Sequence, residues 1–123
     1  MVASASRDET LKIWNAVTGD LMSTLVGHTA EVISCCWAGP EMVVSSSRDG
    51  TTRWWAKQQD HHEFANVATF LSSSPALALG LGCIGEPAAA LLGMAVVGSE
   101  DGTVVILNFS AIAGKYVAGA RRP

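Results

Sequence analysis

The fold is decided by residues 45–56, which read Ser-Ser-Ser-Arg-Asp-Gly-Thr-Thr-Arg-Trp-Trp-Ala. Residues 4–15, Ser-Ala-Ser-Arg-Asp-Glu-Thr-Leu-Lys-Ile-Trp-Asn, carry the same pattern 41 positions earlier. Residues 97–108, Val-Gly-Ser-Glu-Asp-Gly-Thr-Val-Val-Ile-Leu-Asn, carry a weaker copy 52 positions later. Self-similarity of this kind is the signature of a repeat architecture. The chain is therefore predicted to consist of copies of one supersecondary unit.

Each copy predicts a hairpin of two β-strands. Asp49-Gly50 and Asp101-Gly102 suit two-residue turns, because glycine adopts a positive φ angle at little cost. The first copy has Asp8-Glu9 at this place, which is a less favourable turn. Residues rich in β-branched and aromatic side chains follow each turn. The strands predicted there are Thr10–Trp14, Thr51–Trp55 and Thr103–Leu107.

Further strands complete each unit. The apolar run 32–37, which follows Gly27-His28, predicts an inner strand, and residues 20–25 and 63–71 predict outer strands. A repeat of about 40–45 residues with a Gly-His pair, an acidic turn and a closing Trp-Asp dipeptide resembles the WD40 family of β-propellers. The closing dipeptide departs from the family pattern in all three units, where it reads Trp14-Asn15, Trp55-Ala56 and Leu107-Asn108.

The resemblance implies an all-β fold of four-stranded antiparallel blades. Residues 1–26 would form part of a first blade, residues 27–71 a second, and residues 72–123 a degenerate third. Propellers close with roughly four to eight blades, whereas this chain supplies about two and three-quarters. We therefore expect an incomplete ring: a fragment, a truncated gene model, or an arc completed by other material. The rest of a propeller, from the same chain or another, would be needed to close it.

The resemblance also implies a hydrogen-bonded tetrad that links the His of Gly-His, a strand Ser, the turn Asp and the closing Trp. Burying an Asp and a His is costly unless each satisfies the other, so His28 is predicted to be structural and not catalytic. The third unit keeps only the turn Asp, with Val97 and Leu107 at the Ser and Trp positions. The tetrad residues are His28, Ser45, Asp49 and Trp55 in the second unit, Ser4, Asp8 and Trp14 in the first, and Asp101 in the third.

Family members that bind peptides commonly do so on the wide face of the propeller, near the central channel. The resemblance places Arg7, Arg48 and Glu100 on that face, just before the turn Asp of each unit, together with Glu31 and Ile33. The alternative interpretation is that the arginines are ordinary solvated turn residues, which recur because the repeats share a common origin.

Charge and cysteine content narrow the function classes. Eight basic against 11 acidic residues give a net charge of −3, and no Lys/Arg cluster exceeds Arg121-Arg122, which argues against a nucleic-acid partner. The three cysteines, Cys35, Cys36 and Cys83, are an odd number, so reduced thiols are expected instead of disulfides. With no apolar signal core at the start of the chain, a cytoplasmic location is predicted.

Motifs for catalysis and for cofactors are weak. Residues 80–85 match the letters of a dinucleotide fingerprint, but Pro87 follows too soon and no βαβ context is present. Residues 60–63, Asp-His-His-Glu, could supply metal ligands, yet neighbours on a strand point to opposite faces and cannot converge on one ion. No cofactor and no metal ion are therefore predicted.

The predicted function is a non-catalytic protein–protein interaction scaffold that binds a protein or peptide, without nucleic acid or membrane. Two alternatives within the family are the sensor region of a larger signalling ATPase and a receptor that reads acidic or phosphorylated segments through Arg7 and Arg48. An alternative of another class is an enzyme or a membrane-associated protein that uses the apolar residues 76–98. Glu86-Pro87 interrupts that segment, so two short strands around a turn explain it better than a bilayer span.

Overall fold

The computed structural model describes residues 1–59, 63–72, 74–83, 92–110 and 115–121 of the 123-residue chain. Regular structure in these residues is entirely β: eleven strands form three antiparallel sheets. The predicted all-β class with four-stranded antiparallel blades is confirmed. No helix in the described residues is long and apolar enough to cross a membrane.

The first sheet has three strands that pair in chain order, so each strand follows its neighbour through a short turn. The turn between the first two strands places Glu9 at a φ angle of +75°. Non-glycine residues rarely adopt such an angle, so this turn carries the strain that the Asp8-Glu9 sequence predicts. The strands are β1 (Val2–Ala5), β2 (Thr10–Trp14) and β3 (Leu21–Val26).

The second sheet has four strands, again in chain order. Gly50 takes the equivalent turn position with a φ angle of +85°, which glycine adopts without strain. The strand after this turn runs to Lys57, beyond the predicted Trp55, because Lys57 pairs with Phe64 on the next strand. The strands are β4 (Val32–Gly39), β5 (Met42–Ser47), β6 (Thr51–Lys57) and β7 (Phe64–Leu71).

The third sheet has four strands in the same order. The apolar segment 76–98 contributes its first two, which pair antiparallel, as the interpretation of two short strands requires. The predicted Gly-Glu-Pro turn between them, residues 85–87, lies outside the described residues. The strands are β8 (Ala76–Cys83), β9 (Leu92–Ser99), β10 (Val104–Ser110) and β11 (Lys115–Arg121).

The second sheet is buried on both faces because it lies between the first and third sheets. Adjacent residues of a strand point to opposite sides, so each strand contributes to both faces. Val43 on β5 and Trp55 on β6 pack against the first sheet, whereas Val44 and Trp54, one residue away on each strand, pack against the third. All four side chains are at most 2% exposed. The core therefore lies in two layers, one on each side of the second sheet.

The three sheets are arranged in series. Apart from the strand pairs within each sheet, the main contacts join the first sheet to the second and the second to the third, with β4 between β1 and β8. In the described residues, no strand of the first sheet makes a substantial contact with a strand of the third. The sheets form an unclosed arc, as predicted.

Candidate protein-binding face and its supporting network

A chain of side-chain hydrogen bonds runs through the second sheet. The Trp55 Nε1–H group donates to Ser45 Oγ at 2.9 Å, and Ser45 Oγ lies 2.7 Å from His28 Nε2. His28 Nδ1 lies 2.9 Å from Asp49 Oδ2. A neutral imidazole protonated at Nδ1 satisfies every group, because Ser45 then donates to Nε2 and Nδ1–H donates to Asp49. The structure thus brings together all four residues of the second-unit tetrad.

Burial and hydrogen bonding determine the charges in this network. Burial lowers the pKa of His28 below its ordinary 6.5, more strongly than the bond to Asp49 raises it, so the imidazole stays neutral. Burial alone would raise the pKa of Asp49. Hydrogen bonds from the Thr51 side chain, from the Thr29 amide and from His28 outweigh burial and lower that pKa to about 2. The network is therefore a neutral His bound to a charged Asp.

The first sheet contains only half of this arrangement. The Trp14 Nε1–H group donates to Ser4 Oγ at 2.9 Å, as its counterpart does in the second sheet. Asp8 accepts bonds from the Thr10 amide and hydroxyl, which lower its pKa. In the described residues no imidazole joins Ser4 to Asp8.

The third sheet diverges further. Asp101 is exposed and accepts a bond from the Thr103 amide at 2.9 Å, and its own amide donates to Ser74 Oγ at 3.2 Å. Val97, at the Ser position, is buried in the core. The side chain of Leu107, at the Trp position, lies outside the described part of the structure. Asp101 therefore closes a turn but has no matching tetrad Ser.

The network lies at one end of the sheets. We call this end the turn face and define it by the turns 7–9, 48–50 and 100–102. His28 and Thr29 precede β4, and their bonds to Asp49 tie that loop to the β5–β6 turn. The Arg48 amide also donates to the Glu31 carbonyl at 3.0 Å. The backbone that carries Arg48 is thus held from both sides.

Two of the predicted binding residues engage each other. Arg7 Nε lies 3.3 Å from Glu31 Oε1, and the pair links the first sheet's turn to the start of the second sheet. The Arg7 side chain is 89% exposed and that of Glu31 is 38% exposed. Exposed pairs add little stability, but this one supplies Arg7 with an anionic partner within the chain.

Arg48 has no such partner among the described residues, and the backbone register shows why. The Glu100 amide bonds the Pro75 carbonyl at 2.9 Å, as the Arg48 amide bonds Glu31, so Pro75 occupies the place in the third sheet that Glu31 occupies in the second. Proline offers no side-chain acceptor. In the described part of the chain, the Arg48 guanidinium makes no hydrogen bond and no ion pair.

The exposed Arg48 side chain lies at a small cleft between the second and third sheets. The cleft has a volume of about 140 Å³. Glu100 is exposed on the same face, whereas Ile33 is half-buried and is the extra residue of a bulge on β4. The cleft is lined by Arg48, Asp49, Gly50, Ser72, Ser74 and Pro75.

The family model described as "WD domain, G-beta repeat" matches residues 19–56, the stretch that contains His28, Ser45, Asp49 and Trp55. The crystal structure of the C-terminal WD40 domain of Sif2 superimposes on 86% of the chain with a TM-score of 0.65 and 26% identity. The chain belongs to the WD40-repeat family.

Curated WD40 relatives are similar at higher identity. The SIR4-interacting protein SIF2 of Saccharomyces cerevisiae is 37% identical over 60 residues, which is 49% of this chain and 11% of that protein. Nuclear distribution protein PAC1-2 of Uncinocarpus reesii is 35% identical over 118 residues, 85% of this chain and 26% of that protein. The chain thus spans about a quarter or less of these relatives, and 27% of the Sif2 domain chain.

One network residue was missed by the sequence analysis of these WD40 repeats. Thr51 Oγ1 lies 2.6 Å from Asp49 Oδ1 and 3.1 Å from His28 Nδ1, so it contacts both ionisable members of the tetrad. The signal was present, because a threonine follows the turn acid by two positions in all three units, at 10, 51 and 103. Repetition of that threonine beside a buried acid predicts a hydrogen bond.

Other reactive side chains of the WD40 chain form no site in the described residues. No group of three or more His, Cys, Asp or Glu residues there could hold a metal ion. Residues 60–62 of the Asp-His-His-Glu run lie outside the described part. Burial, and then the neighbouring Cys36, raise the pKa of the Cys35 thiol to about 11, so this cysteine stays protonated.

Proposed function

We propose that this WD40 chain belongs to a non-catalytic interaction scaffold that binds a protein or peptide partner through Arg48 on the turn face. The observation that carries the proposal is the exposed Arg48 guanidinium, which lacks a partner among the described residues although its counterpart Arg7 is paired. A planar guanidinium donates two parallel hydrogen bonds to a carboxylate or phosphate. Arg48 is therefore the residue best suited to recognise a negative group.

The surroundings of Arg48 support binding and do not suggest a chemical step. His28 and Asp49 are bonded to each other within the network, and the Cys35 thiol stays protonated. Because the Arg48 amide is bonded to the Glu31 carbonyl, this turn does not have to become ordered when a partner binds the Arg48 side chain. Pre-organisation of this kind reduces the entropic cost of binding.

The family relationship supports the same class of function. One relative is named for its interaction with another protein, SIR4. We propose that the partners here include a protein or peptide and, because the arc is unclosed, the rest of a propeller. Unpaired Cys35 and Cys36 fit a reducing compartment such as the cytoplasm.

Charge reversal of the two matched arginines tests the proposal. The tagged full chain is used to capture partners from cell lysate as wild type, Arg48→Glu and Arg7→Glu. Arg48→Glu should weaken the captured complex by about 1–3 kcal/mol, through lost charge-assisted bonds and new repulsion. Arg7→Glu should have less effect. Undiminished capture of every partner by Arg48→Glu would show that this face is not the binding site.

A further inference from the structure

The two end sheets of the arc each have one side that no other described sheet covers. The second sheet packs against the first on one side and against the third on the other, whereas the first and third make no substantial contact. We call the uncovered side of the first sheet, with Val2 and Trp14, the leading face. The uncovered side of the third sheet, with Val96, Val104 and Ile106, is the trailing face.

The leading face repeats a face that is buried elsewhere in the chain. Val2 pairs with Trp14 as Val43 pairs with Trp55, and each pair stands six residues before and six residues after its turn acid. Because Ile13 packs towards the second sheet, the adjacent Trp14 points away from it. Val43 and Trp55 are at most 2% exposed under the first sheet, whereas Val2 is 49% exposed and Trp14 is half-buried. The leading face thus has the apolar residues of a contact between sheets without the covering sheet.

The trailing face corresponds to the side of a sheet that does the covering. The first sheet covers the second with Leu11 and Ile13, which stand three and five residues after their turn acid. Val104 and Ile106 hold the same two positions in the third sheet. Both are half-buried and point away from the second sheet, because Val105 between them is buried against it.

The leading and trailing faces therefore match in the way that the first and second sheets already match inside the chain. Val96, which is 38% exposed and pairs with Ile106, extends the apolar surface of the trailing face. A trailing face laid on a leading face would repeat the packing of the first sheet on the second. Within one chain the two faces lie at opposite ends of an unclosed arc, so this contact requires two copies of the chain.

The number of sheets determines how many copies can close. Head-to-tail contacts between identical copies give a ring where the rotation closes and a filament where it does not. Propellers close with roughly four to eight blades. Two copies of the three-sheet chain supply six sheets, and three copies supply nine. A ring of two copies is the one that falls within this range.

We infer that two copies of this chain close into one six-bladed ring, in which the trailing face of each copy packs on the leading face of the other. This inference rests on the part of the proposed function that calls for the rest of a propeller, and it names a second copy as the source. Partner binding through Arg48 is separable from it, because the Arg48 cleft lies between the second and third sheets of a single copy.

Val26 provides a matched control on the leading side of the first sheet. It pairs with Thr10 and is 73% exposed. Its counterpart Leu71 pairs with Thr51, on the side of the second sheet that the first sheet covers, and is still 75% exposed. A sheet packed on the leading face therefore leaves Val26 exposed.

Sedimentation equilibrium of the full chain over a range of concentrations tests the inference. The wild type should reach twice the chain mass of 12.8 kDa and form no larger species. Val2→Glu on the leading face and Val96→Glu on the trailing face should each weaken the dimer about 100-fold, because each places a carboxylate in an apolar contact. Val26→Glu should leave the dimer unchanged. Circular dichroism checks that all three variants keep their β-structure.

The outcomes separate this inference from the binding function. A wild-type monomer at every concentration, or a series of species larger than two copies, would overturn the ring. Dissociation by Val2→Glu without any effect of Val96→Glu would indicate two leading faces packed together, and would overturn the head-to-tail arrangement. If the wild type is monomeric while Arg48→Glu still loses partners from cell lysate, the ring is wrong and the binding function stands. If the dimer forms as expected but Arg48→Glu captures every partner, the ring stands and the role of Arg48 is wrong.

Discussion

The first and second sheets share the turn sequence Ser-Arg-Asp but use it differently. In the second sheet, Asp49 closes a four-residue network through His28 and its side chain is only 5% exposed. In the first sheet, the bonds of Asp8 to described residues all lie within its own turn, and Glu9 takes a φ angle of +75° where the second sheet has glycine. The same short motif is a buried anchor in one sheet and a strained surface turn in the other.

The arginines of the two turns show the opposite relationship. Arg7, in the weaker turn, has an ion pair, whereas Arg48, in the stronger turn, has none within the part of the chain that the structure describes. The residue at the start of the next sheet decides this: Glu31 for Arg7, and Pro75 for Arg48. The chemistry of each turn is therefore set by its neighbour across the sheet interface.

Removal of the turn acid should produce the largest difference in stability between the sheets. Asp49→Ala leaves His28 and the Thr29 amide without their acceptor in a buried site, so we expect a loss of about 2–4 kcal/mol in the free energy of unfolding. Asp8→Ala and Asp101→Ala should each cost less, because those acids are exposed. Urea denaturation of the three variants measures the difference. Equal losses at the three sites would contradict a special role for the second sheet.

Acid should destabilise the second sheet in two stages. Because the pKa of folded His28 lies below 6.5, the unfolded chain binds a proton first, and stability falls as the pH drops below about 6.5. Because the pKa of folded Asp49 is about 2 and its ordinary value is 3.8, a second loss follows between about pH 4 and pH 2. Urea midpoints across this range measure both stages. His28→Gln should remove the upper stage, and an unchanged slope would refute its assignment.

A smaller effect should come from exchanging the turn residues. Glu9→Gly relieves the positive φ angle and should stabilise the chain by about 0.5–1 kcal/mol. The reverse exchange, Gly50→Ala, should destabilise it, because its new Cβ would lie 3.2 Å from the Ser72 carbonyl oxygen as well as at a φ angle of +85°. Thermal melting distinguishes the two directions. A loss on Glu9→Gly would show that Glu9 has a role beyond its backbone.

Much of this architecture could be predicted from the sequence because repeats expose equivalent positions. The turn glycines, the alternating Val43-Val44 and Trp54-Trp55 pairs, and the Gly27-His28 pair each dictate local structure through φ preference or strand periodicity. His28 could be matched with Asp49 because the resemblance supplied the partner.

Contacts between sheets were not predictable in the same way. The pairing of Arg7 with Glu31 depends on how two sheets pack, and the equivalence of Glu31 with Pro75 emerged only from the backbone bonds to Arg48 and Glu100.

The most direct test introduces a carboxylate beside Arg48, at the position where Pro75 offers no side-chain acceptor. Pro75→Glu places a carboxylate where Glu31 stands one sheet earlier, and Pro75→Gln is the uncharged control of similar size. Capture of partners from cell lysate by the tagged wild-type chain and by both variants measures the effect. We expect Pro75→Glu to lose binding to the level of Arg48→Glu, whereas Pro75→Gln should retain it. Full binding by Pro75→Glu would contradict the claim that the residue across the sheet interface controls this arginine.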